Sequence, residues 1–428
     1  MRLQILSPRW PAKSFWGSMF FQFPILSLTT LAALTPPEWE VSISDENVEE
    51  IGFDAPPDLV AISAMTPLAP RAYELADRFR EVGSQVVLGG YHPTYMSQEA
   101  LQHADAVGIG EAEGYWGKLL SDVQEGRLQR EYRATSRPDR WGWPFPRRDL
   151  IKDKPYFFTN TLQTTRGCPF NCEFCAVTTF YGNTYRSRPL DEVEAEIQAL
   201  EGALNYLVFV DDNIVGNRNY ARDLFQRLIP YGKRWLSHAT LNLARDPELL
   251  ALCAQSGCCG LFIGFESLSE ANLKEIGKSV NKVGEYEEAV RRLHDVGIGI
   301  EGSFVVGYDE DQASVFDRLV EFVKKTKLDG AHFFVRTPFP GTRLYRKLEE
   351  QGRIFDRDWS RYDLSHVVFH PRQMSPEALQ EGSYRAYHEI YSYPSMIRRL
   401  LLPPRKRVQV FGPMNWAFRR ACRDGGYF

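Results

Sequence analysis

Cysteine and histidine are both scarce in this chain, and neither sign of charge dominates. Seven cysteines among 428 residues are far too sparse for a small secreted scaffold held by disulfides, and their number is odd. A reducing cytosol fits them better. A formal net charge of −4 offers no general attraction to a polyanion, so nucleic acid is not an expected partner. No histidine precedes His92. No catalytic triad or carboxylate pair stands out, so the chemistry cannot lean on an obvious general base. A clean membrane-spanning run is missing too. No charged residue lies between Lys13 and Glu38, and FWGSMFFQFPILSLTTLAAL (residues 15–34) has the length of a span. Pro24 interrupts it, however, and Ser18, Gln22, Ser27, Thr29 and Thr30 dilute it. It reads as a loop followed by a buried first helix near residues 25–34. The sequence SPR at residues 7–9 breaks the start, so no signal peptide is expected and the expected location is the cytoplasm.

What is present is a regular alternation. RLQILS (2–7), WEVSISD (39–45), DLVAISA (58–64), QVVLGG (85–90) and DAVGIG (105–110) read as buried parallel strands. Between them, Ala72, Leu75, Ala76 and Phe79 share one face of a helix over 70–82. This predicts a doubly wound α/β domain over 1–125, with its ligand at the carboxyl ends of the strands. A charged stretch rich in Pro, Arg and Trp (126–155) reads as a linker. A second strand–helix series follows over 156–345: TLQTTRG (161–167), NYLVFVDD (205–212), RWLSHATLN (234–242), GLFIGFES (260–267), GIEGSFVVG (299–307) and AHFFVRTPFPG (331–341). Six such units predict a partial or complete β/α barrel with its chemistry at the strand C-termini. Asp191, Asp246 and Ser269 are the expected N-caps of its helices. Residues 346–428 lose the alternation and read as a mostly helical extension.

Three of the seven cysteines fall within eight residues, in CPFNCEFC (168–175). Structural zinc takes four protein ligands, often as two CxxC pairs. Here the spacing is CxxxCxxC, and no fourth ligand sits nearby. Cys253, Cys258 and Cys259 read as ordinary buried thiols, or as an auxiliary site. A [4Fe–4S] cluster needs four ligands, and three cysteines on one loop leave the fourth iron open.

CPFNCEFC, with Phe174 before its last cysteine, resembles the signature of the radical S-adenosylmethionine superfamily. The resemblance implies that Cys168, Cys172 and Cys175 hold the cluster, and that the open iron is chelated by S-adenosylmethionine. Reductive cleavage would then yield a 5′-deoxyadenosyl radical. TLQTTRG supplies the first barrel strand of that pattern. Asp211-Asp212-Asn213 ends the second strand as in many relatives, which puts Asp212 and Phe174 among the residues around the cofactor. Glu266 and Ser267 of GFES resemble the fourth-strand element that contacts its ribose or amino group. Gly302 and Gly307 of GSFVVGY resemble the fifth-strand glycines near the adenine, and TPFPGT (337–342) the end of the sixth strand. Arg186 and Arg188 read either as holders of a carboxylate or as solvated residues before a helix.

Residues 1–125 resemble the cobalamin-binding domain fused to one branch of this superfamily, through DLVAISAMTPLA, VVLGGYHPT and ADAVGIGEAE. The resemblance implies that Gly89 and Gly90 admit the nucleotide tail of cobalamin, with Ser63 and Thr66 beside it and Gly110-Glu111 closing the pocket. A nucleotide- or flavin-binding domain of the same topology is the rival. The loop over 8–21 contains no histidine, so a cobalt ligand from below is not expected there. His92 follows a different strand and reads as a turn residue before Pro93.

The fold expected is therefore α/β: a doubly wound cobalamin-type domain, a partial radical S-adenosylmethionine barrel and a helical extension. The cofactors implied are a [4Fe–4S] cluster, S-adenosylmethionine and cobalamin. The expected reaction is methylation of an unactivated carbon on a hydrophobic small molecule, lipid-like or tetrapyrrole, with flavodoxin or ferredoxin as reductant. Radical oxidation, cyclisation or carbon–carbon coupling, an RNA-modifying role and a cobalamin or iron–sulfur sensor remain the alternatives. In the tail, Arg398, Arg399, Arg405, Lys406, Arg407, Arg419, Arg420 and Arg423 are interleaved with Leu400, Val408, Phe411, Trp416 and Phe418. The reading preferred is a subdomain packed on the barrel, and the rivals are an anionic membrane surface and RNA.

Overall fold

A computed structural model describes residues 1–18, 23–134, 142, 144–156, 160–200, 206–401 and 407–424. Part of the apolar run (19–22), most of the middle of the linker, and Arg405 and Lys406 of the tail lie outside the described residues.

Six parallel strands form the first sheet: β1 (Arg2–Ser7), β2 (Glu40–Asp45), β3 (Leu59–Ser63), β4 (Gln85–Gly89), β5 (Ala106–Ile109) and β6 (Glu131–Arg133), in the order β2-β1-β3-β4-β5-β6. Alternation along each strand feeds two cores. Leu3, Ile5, Leu59 and Ala61 face the helices Leu26–Ala33 and Trp116–Gln124, while Leu6, Val60 and Ile62 face the helix Ala69–Glu81. Both faces are covered, as a parallel sheet requires. The strand order reverses between β1 and β3, which opens a crevice at their carboxyl ends. β6 arises from the stretch read as linker, so the sheet continues past residue 125.

The second sheet runs β14-β13-β12-β11-β10-β7, all parallel: β7 (Thr161–Leu162), β10 (Tyr206–Phe209), β11 (Arg234–Ala239), β12 (Cys258–Glu266), β13 (Gly299–Val306) and β14 (Gly330–Val335). β7 and β14 stand at its two edges, so this is a partial barrel. TLQTTRG does not form one strand. Its second half, β8 (Thr165–Arg166), turns away to pair antiparallel with β9 (Arg186–Ser187). The hydroxyls of Thr164 and Thr165 both donate to the buried Asp211 carboxylate, which draws the chain out of register. Asp246 and Ser269 cap their helices through side-chain oxygens. Asp191 does not: Pro189 occupies the N-cap, and Asp191 falls in the first turn, where its charge still suits the helix dipole.

The tail packs on the barrel. Phe418, Ala421, Tyr391 and Ile390 join its core, together with Phe15 from the apolar run, which stacks on Phe418 at 5.9 Å. Trp16 Nε1 donates to the Asp363 carbonyl at 2.8 Å. Phe15 and Trp16 of the run are thus spent on packing, and no helix among the described residues is long and apolar enough to cross a membrane. Two tail arginines are structural. Buried Arg399 donates to the carbonyls of Leu328, Asp329 and Ile390, and Arg407 binds the Asp329 carboxylate at 3.1 Å.

Candidate active site

The cysteine loop leaves β8 through Gly167, whose φ of +85° suits glycine; a side chain there would strike the Thr184 carbonyl. Gly167 N–H donates to Asp212 Oδ2 at 3.0 Å. Beyond it, Glu173 N–H donates to the Ile276 carbonyl at 3.1 Å, Arg343 donates to the Asn171 carbonyl at 2.6 Å, and Phe174 packs against the barrel core. Cys168, Cys172 and Cys175 are all free thiols on this anchored loop. Burial pushes all three up, Cys172 to about 12, against the pull of the Lys278 ammonium. Among the described residues no three His, Cys, Asp or Glu side chains converge to hold a single metal ion. A cluster of four irons asks for something else, namely thiols spread over separate irons, and softer donors than any other group nearby. The donor set fits such a cluster.

Two basic residues that the sequence did not single out complete this region. Lys278 Nζ lies 2.9 Å from Glu266 Oε1, both side chains buried. Burial alone would lower that ammonium, but Glu266 and Cys172 outweigh it and leave it above its ordinary value. Glu266 itself has φ +64°, where β12 slips register against β13. A backbone this strained is held only by its surroundings. Gly264 makes room: a Cβ there would meet the Glu266 carboxylate. Arg336 is fully buried with its Cζ 5.1 Å from the Tyr308 ring centre; its Nη2 donates to Glu275 at 3.3 Å and lies 3.4 Å from Glu173, while neither its Nε nor its Nη1 has a hydrogen-bond partner.

The other expected residues on this side take their places as follows. Ser267 Oγ accepts from Ser269 N–H and from Asn272 Nδ2, both at 3.1 Å. Asn272 donates in turn to Asp311, which also accepts from the N–H groups of Gly307 and Tyr308. The ends of β12 and β13 are therefore tied together. Gly302 and Gly307 are walled in by Leu328 and Phe265, and by Leu379 and Phe369, so close packing uses the space both leave.

Across the domain junction lies a pocket of about 550 Å³. Ser63, Gly89, Gly90, Gly110 and Glu111 line it from the first sheet, and Arg166, Phe180, Tyr181 and Asp212 from the barrel. The helix Leu26–Ala33 forms one apolar wall with Tyr115 and Trp116. Gly90 has φ +97° and fits tightly against the Ala64 backbone. Gly110 N–H donates to Thr94 Oγ1 at 3.1 Å. Thr66 is buried under the strand end and does not reach this pocket. Glu111 does more than line it: its carboxylate binds Arg166 at 2.9 Å and Arg186 at 2.7 Å. Arg188 is paired with Glu196. Neither arginine is a solvated residue, and both have carboxylates of this chain as partners. Asp212 is raised to about 6 by burial, against its bond from Gly167 and the charge of Arg166. Asp211 is raised to about 6 by the same cause. His92 is buried, 3.5 Å from Glu99 and edge-on to Trp359. Cys253, Cys258 and Cys259 are buried thiols.

A second cavity, about 790 Å³, occupies the barrel interior. Leu236, Phe262, Phe334, Phe411, Phe418 and Trp10 make its wall largely aromatic. It meets the junction pocket at Ile25, Met65 and Val210, which line both.

Residues 162–323 match the model of the radical SAM superfamily, and residues 27–119 match that of the B12 binding domain. The chain is 32% identical over 407 residues to the bacteriochlorophyllide d C-12(1)-methyltransferase of Chlorobaculum tepidum, covering 92% of this chain and 86% of that one. It is 30% identical to the bacteriochlorophyllide d C-8(2)-methyltransferase of the same organism, covering 90% and 89%. The fold is that of the radical S-adenosylmethionine methyltransferase TsrM from Kitasatospora setae, solved with cobalamin and a [4Fe-4S] cluster: TM-score 0.67, 15% identity, 99% and 98% of the two chains covered. The cofactors are thus a [4Fe–4S] cluster, S-adenosylmethionine and cobalamin, and the chain belongs to the family of radical S-adenosylmethionine enzymes that carry a B12-binding domain.

Proposed function

We propose that this enzyme methylates an unactivated carbon of a hydrophobic, tetrapyrrole-like small molecule bound in the barrel cavity. One observation carries the reading: an aromatic cavity of about 790 Å³ adjoins the junction pocket, the two sharing Ile25, Met65 and Val210 as lining. A substrate in the barrel would lie next to the junction pocket, on whose wall Asp212 is bonded to Gly167 at the start of the cysteine loop. The relatives at 32% and 30% identity, named as bacteriochlorophyllide methyltransferases, point to the same substrate class.

In this reading Cys168, Cys172 and Cys175 hold the cluster, and Glu266 takes the amino group of S-adenosylmethionine. Arg336, with two buried donor nitrogens unpartnered, suits its carboxylate. Ser63, Gly89, Gly90, Gly110 and Glu111 surround the cobalamin, and Asp212 stands between the two cofactor sites. When bound, these cofactors supply hydrogen abstraction from the substrate and delivery of a methyl group. The chain's own part is to hold, orient and exclude water. A one-electron donor such as flavodoxin or ferredoxin belongs to the proposal, as does a cytoplasmic location. Tyr393, Ile397, Leu401 and Trp416 are exposed on the tail beside Arg398, and we assign to them a transient contact with an anionic membrane.

The test is anaerobic reconstitution with iron, sulfide and hydroxocobalamin, followed by reductant, S-adenosylmethionine and a chlorin. The result expected is 5′-deoxyadenosine, S-adenosylhomocysteine and a chlorin heavier by one methylene, with none of the three from Cys172→Ala. 5′-Deoxyadenosine with an unmethylated but altered chlorin would overturn methyl transfer in favour of oxidation or cyclisation.

A further inference from the structure

Within the barrel cavity one side chain has a feature that hydrocarbon cannot satisfy. His238, on β11, lines the cavity, and its Nδ1 lies 3.0 Å from the backbone carbonyl of Asp211. A carbonyl only accepts, so the proton sits on Nδ1 and the lone pair on Nε2. Nε2 has no hydrogen-bond partner among the described residues. Phe262 meets the ring edge-on at 5.1 Å and steadies its plane. The ring is surrounded by protein, yet much of its surface is accessible, through the cavity it lines. Burial depresses its pKa, the Asp211 carbonyl opposing, so the imidazole is neutral. The cavity's other histidine is placed differently. His332 Nε2 lies 2.9 Å from Glu301, its ring stacks on Phe334 at 5.1 Å, and its own unpartnered nitrogen, Nδ1, is buried and not open to the cavity.

A neutral imidazole whose far nitrogen is tied to a backbone carbonyl is how proteins orient a metal-ligating histidine. The rest of the wall says what kind of metal-bearing group could come. No lysine or arginine lines this cavity among the described residues, so an anionic head group finds no counter-charge there. Asp45 is already bonded by Tyr156, and Glu301 is beside His332. Most of the remaining surface is aromatic and aliphatic. A wholly hydrocarbon occupant such as a triterpenoid would leave Nε2 unmatched. A planar macrocycle with a coordinatively unsaturated divalent metal at its centre satisfies both the aromatic wall and the lone pair.

We propose that His238 Nε2 is the axial ligand to the central divalent metal of the macrocyclic substrate, and so selects the metallated over the metal-free ring. This rests on the tetrapyrrole reading above and adds a specificity determinant to it.

The experiment titrates the corrinoid-loaded protein with a zinc chlorin and with the same chlorin free of metal, following absorbance. The result expected is a preference of about tenfold or more for the zinc form, with the band shift of axial nitrogen ligation. In His238→Ala the preference and the band shift disappear, and added imidazole restores the shift. Corrinoid uptake in the separate junction pocket reports that the variant is folded; if it fails, His238→Phe, which fits the aromatic wall, takes its place. Equal affinity for the two chlorins with no band shift overturns the assignment and leaves the tetrapyrrole reading intact. Binding of neither chlorin overturns that reading and the assignment with it.

Discussion

Lys278 Nζ stands 2.9 Å from Glu266 Oε1, and the pair lies beside Cys172 at the end of β12. A buried ion pair contributes little net stability when intact, but removing one partner leaves a bare charge, which costs about 3–5 kcal/mol. Lys278→Met should therefore destabilise the apoprotein on that scale in urea melts, and Lys278→Met with Glu266→Gln should recover most of the loss. A double variant no better than the single one would mean that Lys278 acts through the thiols rather than through Glu266.

Most strands were legible because each alternates or runs apolar between turn residues: RLQILS and GIEGSFVVG are β1 and β13 within a residue. The cysteine loop was legible because its spacing is local. What could not be read joins residues far apart in sequence. Lys278 acquires meaning only when the turn after residue 275 folds back on Glu266, and Arg336 only when β14 brings it to Tyr308. Arg186 offered no local hint that Glu111, 75 residues earlier, was its partner. β6 was hidden because EYR is three residues long and charged at both ends, and its pairing with β5 alone makes it a strand. His238 lay inside a run already read as a strand, where nothing marks which nitrogen would face the interior.

The Glu111 carboxylate crosses the domain junction to two arginines, Arg166 and Arg186, with Glu113 also bonded to Arg166 at 2.6 Å. Glu111→Gln keeps the shape and removes the charge. It should loosen the junction pocket, weakening corrinoid retention on gel filtration by about tenfold, about 1.4 kcal/mol, while cluster content stays that of the wild type. Unchanged retention would show that the pairing holds the domains without shaping the pocket.

Asp212 is raised to about 6 by burial, from 3.8. A carboxyl whose pKa is higher folded than unfolded takes up its proton in the folded state first, so it favours folding at low pH. That contribution is lost as pH rises from about 4 to 6, and totals at most about 3 kcal/mol. Asp212→Asn keeps an oxygen for Gly167 N–H and cannot ionise. Its stability relative to the wild type should rise across that window and level off above about pH 7. Paired urea melts at pH 4.5, 6 and 7.5 read this directly, and a flat difference would mean that Asp212 is not buried as a carboxylate.

Val210 lines both the junction pocket and the barrel cavity, with Ile25 and Met65. Its place makes it a test of whether the two spaces work as one. Val210→Trp adds bulk where they meet without touching the cysteine loop or Glu266. S-Adenosylmethionine cleavage should continue, because the cluster and its surroundings are intact. Transfer to substrate should fall by about a hundredfold, the scale on which a displacement of about 1 Å between reacting partners acts. The measurement is the ratio of methylated product to 5′-deoxyadenosine in one reaction. A collapse of that ratio places substrate and cobalamin on either side of Val210, whereas a parallel loss of both products would put the substitution's effect on the cluster side instead.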